Sequence, residues 1–506
     1  MFIRFRFSPL FLLLCTLTVS SVNAAAIETT IPDKSAARVS AKKENITAAQ
    51  KGAIDSYVNA EMNRQHIPGA TVGIFRHGNL VYSQGYGYAN LEWQIKMRPD
   101  TIMQSGSVGK QFTATAVLML VEQGKVGLED SIRKYFPESP ETWQAIKVKN
   151  LLSHSSGLAE YETPERGMPG AVFDLRADFS EDQLVKNAGT MPIDFAPGDK
   201  FAYSNTNYML LGILIHRVSG QFYGDYMQDH IFHPLGMDST HIISDRDIVK
   251  NRASGYEVEI NNIKNQKYVS ATFNSTGDGA LYFNLPDLEK WDRAQYGEKI
   301  LSSTMKQQMW TPFVLNDGKP NRGNYGFAFF INQVNGHRVI EHTGAWQGFT
   351  TMVSRYVDDG LTVVVLTNLD SDHAYPENIE RVVAGIVEPE LMPVSATVIK
   401  DEQPNIVSTV HKLFIETADG RDTSDYFAPE YGYRFDADDA AKLNFSMPPN
   451  WRGSTMELIS RKAIGDKLES RYRIGKVNNR RIVAVQTTAS GKVTAFSIYS
   501  DPDNRY

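Results

Sequence analysis

The chain is poor in cysteine and in long apolar runs. Its single cysteine among 506 residues, Cys15, lies within an apolar N-terminal run from Leu10 to Val19. That run follows Arg4 and Arg6 and precedes small residues at 22–24. This pattern is typical of a cleaved secretory signal, and the run is too short to span a membrane comfortably. Removal of residues 1–24 would leave a chain without a thiol, which excludes disulfides, cysteine catalysis and thiolate metal sites.

The sequence also lacks a basic segment and several common site motifs. Its formal net charge is −6 and no Lys/Arg run forms a basic arm, so we expect no nucleic-acid partner. The stretch from Ser105 to Gly109 is not a Gly-x-Ser-x-Gly elbow, and with Gln104 before it the stretch is not a phosphate-binding loop. His230 and His233 have no His-Glu-x-x-His context, so we predict no metal and no cofactor.

The most informative stretch surrounds Ser107. Apolar residues after it recur at the spacing of an amphipathic helix, and Ser107 and Lys110 lie on another face of that helix, one turn apart. A serine hydroxyl becomes a nucleophile when a neighbour takes its proton, and a lysine with a lowered pKa can do so. Other Ser-x-x-Lys matches begin at Ser40, Ser131 and Ser303, but none of them opens a long apolar helix.

Two further short motifs follow Ser107 along the chain. Tyr203-Ser204-Asn205 precedes an apolar helix predicted over Tyr208–Val218. His342-Thr343-Gly344 is expected at the end of a strand predicted over Arg338–Glu341. Tyr-x-Asn occurs elsewhere in the chain and is weak alone. The specific signal is the order of the three motifs, Ser-x-x-Lys, then Tyr-x-Asn, then His-Thr-Gly.

The order of predicted elements indicates two folded parts. The first part has strands near both ends, over Gly69–Arg76 and Leu80–Gly87 and again over Thr350–Tyr356 and Leu361–Thr367, with helices between them. This order predicts one antiparallel sheet beside a helical lobe, with a ligand cleft between the lobes. We divide the chain into a signal peptide (1–24), a flexible leader (25–48), a first domain (49–387), a proline-bearing linker (388–404) and a small α+β domain (405–506).

The three motifs together resemble those of the serine β-lactamase and penicillin-binding-protein superfamily. The chain is similar to the branch that holds class C β-lactamases, D-alanyl-D-alanine carboxypeptidases, D-aminopeptidases and β-lactamase-like esterases. The resemblance covers about residues 50–386 and includes Gly85-Tyr86-Gly87, Leu151–Leu158 and the run from Gly277 to Tyr282. It implies an α+β fold in two lobes, an antiparallel sheet and a helical lobe, for the serine hydrolase domain.

The resemblance also implies how the reaction is carried out. Ser107 is implied to attack a carbonyl carbon and form an acyl-enzyme that water then hydrolyses. Lys110 and Tyr203 are implied to share the proton transfers, and which of them is the base stays open at this point. The backbone N–H groups of Ser107 and Ala345 are implied as the oxyanion hole.

The substrate side of the site departs from one branch of the family. The resemblance implies that Asn205 holds the substrate amide, while His342, Thr343 and Gly344 face its carboxylate or position the tyrosine. Class C β-lactamases usually have lysine where this chain has His342. Since a neutral imidazole attracts a carboxylate less than an ammonium does, the histidine disfavours β-lactamase activity. The bulky Trp346 is expected to narrow the pocket.

The predicted function is that of an exported serine hydrolase, in a bacterial periplasm or outside the cell. We expect a small-molecule or peptide substrate with an amide or ester bond, such as a D-amino-acid peptide or a carboxylic ester, and no stable membrane anchor after signal cleavage. Two alternatives stay open, namely a true class C-like β-lactamase and a non-catalytic penicillin-binding-like sensor. An acyl-enzyme that forms without turnover would indicate the sensor.

Overall fold

The computed structural model describes residues 45–501, apart from residues 168–169, 244–246, 260–261, 371–373, 394–395, 429–442, 445–446, 449, 465 and 477–478. The predicted signal peptide and most of the leader lie outside the described residues. So do Asp436, Asp438 and Asp439, which the sequence indicates as a solvated acidic loop. Within these ranges no helix is long and apolar enough to cross a membrane. The same ranges contain no group of three or more His, Cys, Asp or Glu residues that could hold a metal ion.

Helices and strands are numbered along the described chain. The α-helices are Ala48–Gln65 (α1), Lys110–Glu122 (α2), Val148–Leu152 (α3), Pro164–Gly167 (α4), Glu181–Gly189 (α5), Asn205–Ser219 (α6), Tyr223–Met227 (α7), His233–Leu235 (α8), Leu285–Ala294 (α9), Ser303–Met309 (α10), Pro376–Val387 (α11) and Pro404–Ala418 (α12). The strands are Gly69–Arg76 (β1), Asn79–Asn90 (β2), Ile95–Lys96 (β3), Met103–Gln104 (β4), His241–Ile242 (β5), Tyr256–Glu259 (β6), Asn262–Asn265 (β7), Leu281–Phe283 (β8), Phe330–Val334 (β9), His337–Trp346 (β10), Phe349–Tyr356 (β11), Leu361–Thr367 (β12), Glu457–Ile464 (β13), Lys467–Ile474 (β14), Arg481–Thr488 (β15) and Val493–Ser500 (β16).

The largest sheet joins distant parts of the chain. Its seven strands lie in the order β3-β2-β1-β12-β11-β10-β9, and β1 pairs antiparallel with β12 so that Ala70 lies opposite Thr367. The turn between β1 and β2 has positive φ at His77 (46°) and Gly78 (76°), which is the primed turn that suits a twisted hairpin. The prediction of one antiparallel sheet built from both ends of the first part is confirmed.

Both faces of this sheet are covered, and the burial of β12 shows it. Every residue of Leu361–Thr367 is buried. Val363 and Val365 pack in the core beneath α1 and α11, whereas Val364 and Leu366 pack in the larger core with the helical lobe. A strand buried on both faces reads as a continuous apolar run, because the side chains alternate between two cores.

The second folded part begins with α12. Strands β13 to β16 form a four-stranded antiparallel sheet in chain order, and they share a separate apolar core with α12. The sequence predicts here a helix with Ile406, Val410 and Phe414 in register and strands around 455–461, 470–475, 481–487 and 493–499, and the observed limits differ by a few residues. Arg481 of β15 donates a hydrogen bond of 2.7 Å to the backbone oxygen of Arg64 in α1, which joins this part to the first.

Three predicted element limits are wrong. The helix predicted from Ser107 begins as a 3-10 turn over Gly106–Gly109, and α2 starts only at Lys110. The strand predicted over Arg338–Glu341 extends as β10 to Trp346, so His342-Thr343-Gly344 lies inside the strand and does not end it. The sequence from Val148 predicts a short helix that closes on Gly157, whereas the observed helix α3 ends at Leu152.

Candidate active site

The turn that carries Ser107 packs directly against β10. Gly106 has φ of +50°, and a Cβ added there would lie 2.3 Å from the backbone nitrogen of Ala345. A Cβ on Gly344 would lie 2.1 Å from the backbone oxygen of Ser105 and 3.0 Å from the nitrogen of Ser107. Two glycines thus allow this close approach, and the backbone nitrogens of Ser107 and Ala345 lie on the two segments that face each other. This is the pair of donors that the sequence predicts as an oxyanion hole.

Hydrogen bonds on both sides hold the turn in place. The backbone N–H of Ser105 donates to the oxygen of Leu281 in β8 at 2.7 Å. The hydroxyl of Thr351 in β11 donates to the oxygen of Ser105 at 2.8 Å. Strands β8 and β11 therefore hold the backbone of the turn that carries Ser107 from two sides.

We expect Gly106→Ala to lower kcat/KM by about 10²–10³, the usual loss when an oxyanion donor is displaced. A methyl group at this position would push the turn away from the Ala345 nitrogen, which it would otherwise approach to 2.3 Å. Gly124→Ala is the matched control, because Gly124 also has positive φ (69°) but a Cβ there meets nothing within 4 Å. Kinetics and thermal unfolding of both variants test this prediction, and equal activity losses in the two would contradict it.

Lys110 lies fully buried beneath Ser107. Its Nζ atom lies 2.9 Å from the Ser107 hydroxyl, 2.7 Å from Oδ1 of Asn205 and 2.5 Å from the backbone oxygen of Asp278. Burial lowers the pKa of Lys110 from 10.5 to about 8, although nearby carboxyl groups act in the opposite direction. The amide and carbonyl oxygens can only accept, so they take two N–H groups of the lysine. The third position faces Ser107, and after deprotonation the lone pair of the amine points at the serine hydroxyl.

Tyr203 lies on the other side of the lysine, with Nζ of Lys110 5.0 Å from the centre of its ring. Burial raises the pKa of Tyr203 well above 10.0, although an interaction with Ser107 lowers it. Its hydroxyl is buried and makes no well-formed hydrogen bond with any described residue. A phenol in this state keeps its proton at neutral pH and can donate it, which suits a proton donor better than a base.

His342 is buried, and described partners engage both of its ring nitrogens. Nδ1 lies 2.5 Å from the backbone oxygen of Thr343, which can only accept, so Nδ1 carries the proton. Nε2 therefore accepts from the hydroxyl of Tyr325 at 3.1 Å. Burial lowers the pKa of His342 to about 3, so the ring is neutral. Thr343 is half-buried in β10 and lies opposite Met352 of β11.

His154 packs beneath Tyr203. Its ring is fully buried, lies 4.1 Å from the ring of Tyr203 between centroids, and accepts at Nδ1 from the backbone N–H of Ser204. Burial lowers the pKa of His154 well below 6.5, which keeps it neutral. The arrangement makes His154 a support for the tyrosine and not a base near Ser107.

The sequence reasoning missed a group of acidic residues around Asn205. The backbone N–H of Asn205 donates to Glu160 at 2.7 Å, and its side-chain Nδ2 donates to Glu162 at 2.8 Å. The carboxyl group of Asp278 accepts from Tyr161 at 2.7 Å. Because Glu160 and Glu162 come from one loop, Asp278 from a second and Asn205 from the start of α6, spacing alone gives no signal for this group. The Glu-Tyr-Glu run at 160–162, one residue beyond the Leu151–Leu158 motif, is the only hint in the sequence.

Comparisons with known proteins identify relatives of this arrangement. The family profile described as Beta-lactamase matches residues 54–387. A penicillin-binding protein of Bacillus subtilis (strain 168) is 28% identical over 333 residues, which is 63% of this chain and 72% of that protein. The structure of the octameric penicillin-binding protein homologue from Pyrococcus abyssi covers 90% of this chain and 97% of its own, with a TM-score of 0.59 and 23% identity. The structure of a D-stereospecific amidohydrolase from Streptomyces sp. covers 64% of this chain and 94% of its own, with a TM-score of 0.53 and 25% identity.

Proposed function

The chain belongs to the Beta-lactamase family, a group of serine β-lactamase-like hydrolases, and from that premise we propose that it hydrolyses small D-amino-acid amides or carboxylic esters through an acyl-enzyme on Ser107. The observation that carries this proposal is the contact between Ser107 and Lys110. A buried lysine with a pKa of about 8 lies 2.9 Å from the serine hydroxyl, so a useful fraction of it is neutral near pH 7–8. A base poised near the working pH is what general-base catalysis requires.

The proposed reaction has two steps. Lys110 takes the hydroxyl proton as the Ser107 oxygen attacks the carbonyl carbon, and the N–H groups of Ser107 and Ala345 hold the oxygen that becomes negative. The tetrahedral intermediate then expels the amine or alcohol, which receives a proton from Tyr203. The tyrosine is reprotonated through Lys110. Water attacks the acyl-enzyme in the same geometry, releases the acid and restores Ser107.

The charges near Ser107 favour a substrate without a carboxylate. His342 is neutral at the position where a cation would attract one. The acidic side chains of Glu160 and Asp278 act electrostatically on Lys110 and raise its pKa, against the effect of burial. An amino-acid amide carries an ammonium group and no carboxylate, whereas a penicillin carries a carboxylate, so this field favours the amide. The similarity to a D-stereospecific amidohydrolase from Streptomyces sp. supports the same class of substrate.

A panel of D-phenylalanine amide, L-phenylalanine amide, an aryl acetate and benzylpenicillin tests the proposal. We expect turnover of the D-amide or the ester, with an acyl adduct mapped to Ser107 by mass spectrometry after rapid acid quenching. The L-amide is the matched control for stereochemical preference. A stable penicillin adduct without turnover would instead support the binding-protein alternative, and rapid penicillin hydrolysis would support the β-lactamase. If no compound modifies Ser107, the proposal is wrong.

We also propose that the protein is exported. The support is the N-terminal signal pattern with its short apolar run from Leu10 to Val19. Sequencing the N-terminus of protein recovered from the periplasm or the medium tests this, since cleavage after Ala24 or Ala25 is expected. Full-length protein retained in the cytoplasm would contradict it.

A further inference from the structure

The two glutamates beside Asn205 have different hydrogen-bond environments. Both carboxylate oxygens of Glu160 accept from the backbone, one from the N–H of Glu162 at 2.9 Å and the other from the N–H of Asn205 at 2.7 Å. A carboxylic acid has one oxygen occupied by a proton and cannot accept well at both. The pair of N–H donors therefore favours the ionised form of Glu160 and opposes the effect of burial, which raises the pKa of this carboxyl group.

Glu162 is in the opposite situation, because its neighbour Tyr161 has only one proton to give. The phenol donates that proton to the carboxylate of Asp278 at 2.7 Å. The second contact of the same phenolic oxygen, 3.3 Å from Oε1 of Glu162, then needs a proton that belongs to Glu162. Burial, with the charges of Glu160 and Asp278, raises the pKa of Glu162 well above 4.5, while Lys110 and the contact with Tyr161 act in the opposite direction.

Asn205 connects this pair to the lysine. Its Nδ2 donates to Oε2 of Glu162 at 2.8 Å, which turns Oδ1 towards Nζ of Lys110 at 2.7 Å. These two contacts together fix the orientation of the Asn205 carboxamide. A carboxyl group that keeps its own proton on Oε1 still accepts at Oε2, so Glu162 can hold Nδ2 of Asn205 in its neutral form. Glu162 therefore orients Asn205, and Asn205 in turn holds Lys110 beneath Ser107.

We propose that Glu160 and Glu162 are positioning residues for Lys110, with Glu160 as the fixed negative charge that holds the lysine proton and Glu162 as the neutral acid that orients Asn205. The two glutamates have separate roles although they are two residues apart. The role of Glu160 is electrostatic and sets the pH at which Lys110 becomes a base. The role of Glu162 is geometric and does not depend on charge. This inference rests on the proposed function for its consequence, but the ionisation of Lys110 can be measured without any substrate.

Other groups also face Lys110 and are common to every variant compared below. They are Ser107 from the 3-10 turn, His154 after α3, Tyr203 before α6, Tyr208 within α6, Asp278 before β8 and His342 in β10. Arg166 of α4 contacts the backbone oxygen of Glu160 and leaves its carboxylate to the two N–H donors. A change in the titration of Lys110 between variants at position 160 or 162 therefore reports on those positions.

The test is a pH titration of the Lys110 side chain by NMR in protein carrying isotope-labelled lysine, with the signal assigned by its loss in Lys110→Met. We expect Glu160→Gln to lower the midpoint by about one pH unit or more, as removal of a nearby opposite charge does. Glu160→Asp retains the charge and should restore the midpoint. Glu162→Gln should leave it unchanged, because its amide accepts from Asn205 and donates to Tyr161 as the protonated acid does.

Two results would overturn the inference. An unchanged midpoint in Glu160→Gln would show that this carboxylate does not hold the lysine proton. A fall in Glu162→Gln as large as that in Glu160→Gln would show that both glutamates are ionised. Labelling of Ser107 by a fluorophosphonate at several pH values is the second readout, and its rising limb should move with the NMR midpoint. Failure of the proposed function is distinguishable, since it would abolish this labelling in the wild type and leave the NMR comparison intact.

Discussion

Replacing Ser107 with alanine is expected to abolish the acyl adduct with every panel compound and to lower kcat by about 10⁴ or more, as loss of the nucleophile does in serine hydrolases. The reason is specific to this hydroxyl. It is the one that lies 2.9 Å from Nζ of the buried Lys110, in a turn held against the strand that supplies the second oxyanion donor. The measurement is steady-state turnover together with intact mass after rapid quenching.

The chain contains its own matched controls for that experiment. Ser131 and Ser303 also begin Ser-x-x-Lys sequences, but Lys134 pairs with Asp130 at 2.7 Å instead of its serine. Nζ of Lys306 donates to the backbone oxygen of Gln295 at 2.9 Å instead of pairing with Ser303. We therefore expect Ser303→Ala to keep wild-type turnover. Equal losses in Ser107→Ala and Ser303→Ala would mean that a change in folding, and not loss of the nucleophile, explains both.

Two central strands of the large sheet can be predicted from the sequence, because an apolar run bounded by turn residues is a local pattern. The strands Gly69–Arg76 and Leu361–Thr367 are predicted with the limits that the structure has, since both are apolar runs bounded by turn residues. Strand β9 was not predicted. Four of its five residues, Phe330 to Gln333, are half-buried or exposed at the edge of the sheet, so its sequence shows no clean alternation.

The candidate site likewise has contacts that the sequence predicts and contacts that it does not. Ser107 and Lys110 are three residues apart, so a local pattern brings them together whether the turn is 3-10 or α-helical. The contacts of Glu160 and Glu162 with Asn205 depend on how loops after α3 and before α6 fold over α2. Contacts between loops that are distant along the chain leave no periodic pattern in the sequence. The extension of β10 through Gly344 was also missed, because the glycine is a strand breaker whose presence here is explained by the turn packed against it.

Replacing Lys110 with methionine is expected to lower kcat/KM by about 10²–10⁴, the usual contribution of a general base. The plot of kcat/KM against pH should also lose the limb that rises near pH 8. Methionine has a similar shape and fills the same buried space without a proton to exchange. Since burial lowers the pKa of His342 to about 3, the histidine cannot replace that limb. A variant that keeps a rising limb near pH 8 would contradict the assignment of Lys110 as the base.

The same variant has a signature in stability that does not require a substrate. Lys110 has a pKa of about 8 in the folded protein against 10.5 as its ordinary value. Between those values the unfolded chain binds more protons than the folded protein, so this lysine makes the free energy of unfolding rise with pH. The free energy of unfolding of the wild type should therefore increase by up to about 3 kcal/mol relative to that of Lys110→Met as the pH rises from 8 to 10.5. Denaturant unfolding at several pH values measures this difference, and a constant difference would mean that the lysine pKa is not lowered.

Lys110→Arg separates the two ways in which a lysine can assist Ser107. A guanidinium stays charged at every pH used here and cannot take a proton from the serine. If Lys110 acts as the base, Lys110→Arg must be as slow as Lys110→Met, provided that thermal unfolding shows both to be folded. If the lysine acts only through its positive charge, the arginine variant should retain most of the activity that methionine loses. We expect the first result, because the two acceptors that engage Nζ leave its third position to the Ser107 hydroxyl.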